Sequence, residues 1–119
     1  MNIKQFIINN NEKNLTLNFF KGEVVCLSFE YLRVFTPTNN NSPKQQVLVT
    51  HKKSVMLNAI ENVGKHGYRL VFDDQHSAIY SSEYLALLTK EYEQRWQHYL
   101  LELKASGHSR EAMINITQL

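Results

Sequence analysis

Cysteine is almost missing from this chain: Cys26 stands alone among 119 residues. One thiol excludes an intrachain disulfide and any cysteine-based metal cluster held within one chain. Glycine and proline are sparse, at four and two residues, which excludes collagen-like and Gly/Pro-rich disordered compositions. No stretch approaches the ~18 apolar residues of a membrane span. The apolar run Phe6-Ile7-Ile8 gives way at once to Asn9-Asn10-Asn11, whereas a secretory signal needs a longer run and a small-residue cleavage site. The expectation is a cytoplasmic protein. Charge of one sign is lacking too. Thirteen Lys and Arg against eleven Asp and Glu leave a net charge of +2, and composition alone gives no argument for nucleic-acid or membrane binding. The sequence shows no evident internal repeat.

What is present is ordinary for a globular domain. Apolar residues make up 43% and charged residues 20%, so the chain can build a core. Its length predicts one domain that buries roughly two-thirds of the surface the unfolded chain exposes. That domain is expected over residues 1–107, with 108–119 as a C-terminal tail too short to fold alone. Leu15, Leu17 and Phe19 alternate with Thr16 and Asn18, the period of a half-buried strand. Lys21-Gly22 supplies a turn, and 24–28 reads as the returning strand of a hairpin. Phe29 to Phe35 fits one or two helical turns, with Leu32 inward. Residues 36–46 hold both prolines, Pro37 and Pro43, and three asparagines, and read as a loop. Residues 55–63 are apolar and open to strand or short helix. Gly64-Lys65-His66-Gly67 reads as a turn. Tyr68, Leu70 and Phe72 then alternate with Arg69 and Val71, and Asp73-Asp74-Gln75-His76 reads as a tight turn into a short strand over 77–80.

The last third is helical. Ser81 or Ser82 can cap a helix N-terminus, and Glu83 in the first turn suits the macrodipole. Tyr84, Leu85, Leu87 and Leu88 supply its buried side. Thr89 is expected to cap a second helix, with Glu91 and Glu93 in its first turn. Tyr92, Trp96, Tyr99, Leu100 and Leu103 form one apolar stripe at helical spacing, and Gly107 ends it. Strands first and helices last predict the α+β class: a two-layer sandwich in which a small, mainly antiparallel sheet carries the C-terminal helices.

Residues 72–85, Phe-Asp-Asp-Gln-His-Ser-Ala-Ile-Tyr-Ser-Ser-Glu-Tyr-Leu, resemble a known signature, F-D-D-G-H-x-x-G-I-Y-S-W-x-Y-L. It belongs to the gamma-butyrobetaine-hydroxylase-like N-terminal domain family, a family of domains of unknown function. Leu15 to Phe20, Leu32-Arg33, Gly64 before Tyr68, then Trp96, Tyr99, Leu100 and Ser109-Arg110 agree in the same order, between residues 12 and 110. The resemblance implies a compact two-layer α+β domain. It also implies three settings: the N-terminal domain of 2-oxoglutarate oxygenases of the carnitine pathway, a fusion to iron–sulfur carrier ATPases, and a stand-alone bacterial protein. This chain resembles the third.

The departures from the pattern matter more than the matches. In zinc-bearing relatives, the resemblance implies, three cysteines follow the Leu-Arg pair and the histidine of D-G-H completes the site. Here the matching segment is Val34-Phe35-Thr36-Pro37-Thr38, and His76 is kept alone. A closed zinc site takes four ligands, so neither metal nor cofactor is expected. Gln75 and Ala78 replace the two glycines of the signature, and Ser82 replaces its tryptophan. Gln75 falls at a turn position that favours positive φ, which predicts mild strain.

Catalytic motifs are absent. A facial-triad iron site often begins His-x-Asp, and none of His51, His66, His76, His98 or His108 has an acid two residues on. There is no phosphate loop ending in Gly-Lys-Ser/Thr and no G-x-S-x-G elbow. A constructible site would use His76 as base, oriented by Asp73 or Asp74, with Ser77, Ser81 or Tyr80 nearby. Against it stands a structural reading, in which His76 is a turn histidine bonded to Asp73, Asp74 or backbone. His51-Lys52-Lys53 with Lys44 reads as a solvated turn, Cys26 as a buried small hydrophobe, and the Tyr92/Trp96/Tyr99/Leu103 stripe as core. Arg33 is expected to pair with Asp73 or Asp74.

The leading expectation is a non-enzymatic interaction or accessory domain. Iron–sulfur or 2-oxoglutarate oxygenase partners are implied by the resemblance alone. The alternative is a small-ligand-binding or hydrolytic site around His76 and Tyr80. Asp73, Asp74, Arg33 and Tyr84 complete the candidate cluster in either case. A protein partner is expected, membrane and nucleic acid are not, and a homodimer is left open.

Overall fold

The computed structural model describes residues 3–37 and 52–107. The elements in chain order are β1 (Ile3–Asn9), β2 (Asn14–Phe19), β3 (Val24–Ser28), α1 (Phe29–Val34), β4 (Leu57–Val63), β5 (Gly67–Phe72), β6 (Ser77–Ser81), α2 (Ser82–Lys90) and α3 (Tyr92–Ser106). The class is α+β and the strand pairing is antiparallel. The strands form two three-stranded sheets, β1-β2-β3 and β4-β5-β6, rather than one. The expected tail, most of the 36–46 loop, Lys44 and His51 lie outside the described residues.

The two sheets are two copies of one unit, a correction to the reading of the sequence. β1-β2-β3-α1 and β4-β5-β6-α2 match element by element, and from β2 onward each residue has its mate 53 positions later. Leu15 pairs with Leu27 in the first sheet as Tyr68 pairs with Tyr80 in the second. Both first strands carry a register irregularity at the same place, between Ile3 and Gln5 and between Leu57 and Ala59. The Phe19 N–H donates to the Glu23 carbonyl as the Phe72 N–H donates to that of His76. The Phe29 N–H donates to the Lys13 carbonyl as the Ser82 N–H donates to that of His66. Gly22 and Gln75, mates in the two hairpin turns, both have positive φ, 104° and 67°.

Few residues mark the repeat: Leu17/Leu70, Phe19/Phe72, and Ser-x-Glu-Tyr-Leu at 28–32 and again at 81–85. Each of those has a physical task. Alternation turns Leu17, Phe19, Leu70 and Phe72 inward, where they are buried with Leu15 and Leu27; each such side chain contributes about 1.5–3 kcal/mol by leaving water. Ser28 and Ser81 are the N-caps. Their Oγ atoms accept from the N–H groups of Tyr31 and Tyr84, both at 3.0 Å, satisfying one orphan donor of each helix.

The two tyrosines lock the units together reciprocally. Tyr31 of α1 donates its hydroxyl to the Leu88 carbonyl in the last turn of α2, at 2.6 Å. Tyr84 of α2 donates to the carbonyl of Phe35, the C-cap of α1, at 2.7 Å. Leu88 and Phe35 are themselves mates. The acceptors are carbonyls that a helix C-terminus leaves without an internal partner. α3 then lies over this junction. Its Tyr92 and Trp96 rings pack on Tyr31, and Tyr99 packs on Phe35, so the aromatic stripe is core packing in the described structure. Gly107 closes α3 in the left-handed region, with its N–H on the Leu103 and Lys104 carbonyls.

Other expectations need correction. β1 was not anticipated as a strand, because its residues do not alternate cleanly. Of residues 55–63, open to strand or short helix, 57–63 form strand β4. Thr89 does not cap α3: it lies inside α2 and donates to the Leu85 carbonyl at 3.0 Å, while Glu91 takes the cap position without a side-chain bond. Cys26 is exposed, not buried, because it falls on the outward parity of β3, with its Sγ 3.2 Å from Thr16 Oγ1.

Candidate functional site

The end of α1 and the β5–β6 turn face each other, and the candidate residues gather there. Arg33, in the last turn of α1, donates from Nε to Asp74 Oδ2 at 2.8 Å. Lys52 Nζ reaches the same oxygen at 2.7 Å. The other oxygen, Oδ1, accepts from the His76 N–H at 3.3 Å. This local bond, two residues on, is the reason an Asp starts a tight turn. Gln75 between them takes the positive φ that the turn requires.

His76 Nε2 lies 2.9 Å from Thr36 Oγ1, tying the turn to the chain that leaves α1. Tyr80 in β6 donates to the Leu32 carbonyl in α1. Tyr84 reaches the Phe35 carbonyl as described above. Four of the six candidates therefore bind the end of α1, to which a fifth, Arg33, belongs. Asp73 faces the other way: it brackets Met56, accepting from its N–H at 3.1 Å and donating its own N–H to its carbonyl at 2.9 Å. Two further residues join the cluster. Lys52 reads from the sequence as a solvated turn residue, but the chain returns beside Asp74 and the ammonium is held there. Thr36 lies in the segment that the resemblance sets against His76, but a lone loop hydroxyl gives no sign of its own that it bonds the ring.

The electrostatics follow from burial and from two cations on one carboxylate. Partial burial pushes the Asp74 carboxyl up, but the hydrogen bonds from Lys52 and Arg33 outweigh it and hold it below the usual carboxylate range. Burial lowers the His76 imidazole, and the nearby Arg33 and Lys52 charges add to that against the pull of Asp74. His76 is thus mainly neutral at pH 7. Burial raises Tyr80 and Tyr84 above the ordinary phenol value, so both keep their protons. Arg95 stacks over the Phe35 and Tyr84 rings, 5.4 and 6.0 Å from their centroids.

Among the described residues, the candidate cluster does not assemble a nucleophile–base–acid relay. Asp74 reaches the backbone N–H of His76, not its ring. The Ser81 hydroxyl is engaged as the α2 cap, and Ser77 is exposed on β6. The Tyr80 side chain is fully buried.

A family model described as gamma-butyrobetaine hydroxylase-like, N-terminal, matches residues 7–86. The chain belongs to that family. The matched span takes in nearly all of both units. Two proteins with solution NMR structures, 34% and 30% identical, superpose at TM-scores of 0.82, each over 99% of this chain and over 91% and 96% of their own. A crystal structure of a protein of unknown function of the DUF971 family, from Acidithiobacillus ferrooxidans, is 26% identical. It matches 73% of this chain and 91% of its own at a TM-score of 0.62. No curated protein matches the chain.

The zinc that the resemblance implies for some of the family does not fit here. The segment after Arg33 offers Thr36 instead of cysteine, and its hydroxyl bonds the one retained histidine. Cys26 is exposed on the outer face of β3 and not in that segment. Among the described residues no group of three His, Cys, Asp or Glu side chains could hold a metal ion. Nor, among them, is any helix long and apolar enough to cross a membrane.

Proposed function

We propose that this family member acts as a non-enzymatic interaction or accessory module of the cytoplasm. One observation carries the reading: the polar groups of the candidate cluster are spent on holding α1 against the β5–β6 turn. Asp74 is shared by two cations, two tyrosine hydroxyls are bonded to α1 carbonyls, and the His76 ring is bonded to Thr36. Chemistry at such groups would first have to break the fold's own bonds. A partner drawn from iron–sulfur assembly or from the 2-oxoglutarate oxygenases is the direction that the family gives.

The test is reconstitution. The tagged full chain is used to capture proteins from its own cells, and each candidate is then purified and mixed with the purified chain. A defined complex by light scattering, formed equally by His76→Ala, supports a module. Turnover by the purified chain alone in a hydrolase substrate panel, lost in His76→Ala, would replace this reading with the ligand or hydrolytic site around His76 and Tyr80.

A further inference from the structure

Where Phe6 of β1 touches Tyr68 of β5, the inner faces of the two units are not fully covered. Phe6 and Ile8 of β1 lie across from Leu17 and Leu15, and Ile60 and Asn62 of β4 lie across from Leu70 and Tyr68. Paired residues share a face, so all of these occupy inner-face positions. Leu15, Leu17 and Leu70 are fully buried. Phe6, Ile60 and Tyr68 are only half-buried, and Ile8 is 36% exposed. Together with the polar Lys4, Gln5 and Asn62 they line an open groove of about 550 Å³ whose floor is apolar and whose rim is polar, with polar surface the larger share. Pockets for small molecules span ~300–1,000 Å³. The Phe6 and Tyr68 rings meet edge to face, centroids 4.8 Å apart, and join the two units at the groove.

Charge says what fits. Among the described residues, Lys4 is the one charged side chain in the lining, and no acid lies in it. Glu61, the acid of β4, is turned to the outer face, where it pairs with Arg69. Lys4 falls at the register irregularity of β1, between Ile3 and Gln5, a device that re-aims a side chain. The matching irregularity of β4 carries Asn58 instead, so the cation belongs to one unit only. Asn62 adds an amide that can hydrogen-bond a polar headgroup.

We propose that this groove binds a small amphipathic anion, with its apolar body on Phe6, Ile8, Ile60 and Tyr68 and its carboxylate at the Lys4 ammonium. The site is separate from the cluster around Asp74 and stands whether or not the module reading holds. Decanoate, kept below its micelle-forming concentration, is the probe, and decanol is the uncharged control. Calorimetric and amide NMR titrations of the full chain should show one saturable site, with shifts concentrated in β1 and β4 and weaker binding of decanol. Lys4→Glu, an exposed position that leaves the fold intact, should weaken decanoate binding at least about tenfold, the scale of a lost charge-assisted bond. Ile60→Gln should weaken both probes. Unsaturable binding, decanol binding as tightly as decanoate, an unaffected Lys4→Glu variant, or shifts centred on the exposed Phe20 or Leu101 would each overturn the proposal.

Discussion

Replacing Tyr31 by Phe removes one oxygen and keeps the ring on Tyr92 and Trp96. That oxygen is buried and bonded at 2.6 Å to the Leu88 carbonyl, which the end of α2 otherwise leaves without a helical donor. Stranding a buried acceptor costs about 1–3 kcal/mol. For a chain of this size, about 4 °C of melting temperature goes with each kcal/mol, so Tyr31→Phe should melt roughly 4–12 °C lower. Tyr84→Phe makes the mirror-image cut at the Phe35 carbonyl but sits half-exposed, and should cost less. Because each hydroxyl binds the other's helix, the double variant should depart from additivity by about 0.5 kcal/mol or more. Urea denaturation at pH 7, followed by circular dichroism, measures all three. A Tyr31→Phe variant within about 0.5 kcal/mol of wild type would refute the idea that the hydroxyl locks the two units.

Acid should weaken the protein through His76 first. Its folded value lies below the unfolded 6.5, so the unfolded chain binds the proton first, and stability present above that value is lost as pH falls through it. The urea midpoint should drop between pH 7.5 and 5.5, and the drop should shrink in His76→Gln. Asp74, also depressed, contributes stability present above its unfolded 3.8 and lost at lower pH; in Asp74→Asn that lower limb should flatten. At the hairpin turns the repeat sets up opposite outcomes. Gln75→Gly relieves a left-handed non-glycine residue and should stabilise by up to about 1 kcal/mol, while Gly22→Ala, at φ 104°, should destabilise by at least as much; thermal melts of both decide it.

Much of the architecture was legible where side-chain parity or helical period is strong. The alternation of Leu15, Leu17 and Phe19, that of Tyr68, Leu70 and Phe72, the Ser81 cap and the Gly107 stop all stand in the fold. The Arg33–Asp74 pair was among the expected contacts, since a charge directly after an inward leucine, at a position matching the family, calls for an acid such as Asp73 or Asp74. β1 was not legible, because its sequence reads as an apolar run followed by asparagines. Thr89 misled because a hydroxyl before a helical run looks like a cap, while the same hydroxyl can bond back to the preceding turn. The repeat was hidden for a physical reason. The backbone plan needs only inward apolar residues, a capping serine and one tyrosine per unit, and elsewhere the two units have diverged. Sheet one is left with uncharged outer residues, whereas sheet two carries the Glu61–Arg69 pair. Lys52 could not be placed, because nothing local to its sequence says that it returns to Asp74.

Equilibrium denaturation of Asp74→Ala and His76→Ala at pH 7 tests the structural role of the cluster most directly. Asp74 sits 20% exposed between two cations, so its removal should cost about 1–2 kcal/mol after allowance for solvent screening. His76→Ala should also lose stability, by the bond to Thr36. Groups held for chemistry strain a fold, and their removal leaves stability unchanged or raises it. Destabilisation of both variants is the expected result; wild-type or higher stability in both would contradict the structural role and return the cluster to the candidates for catalysis.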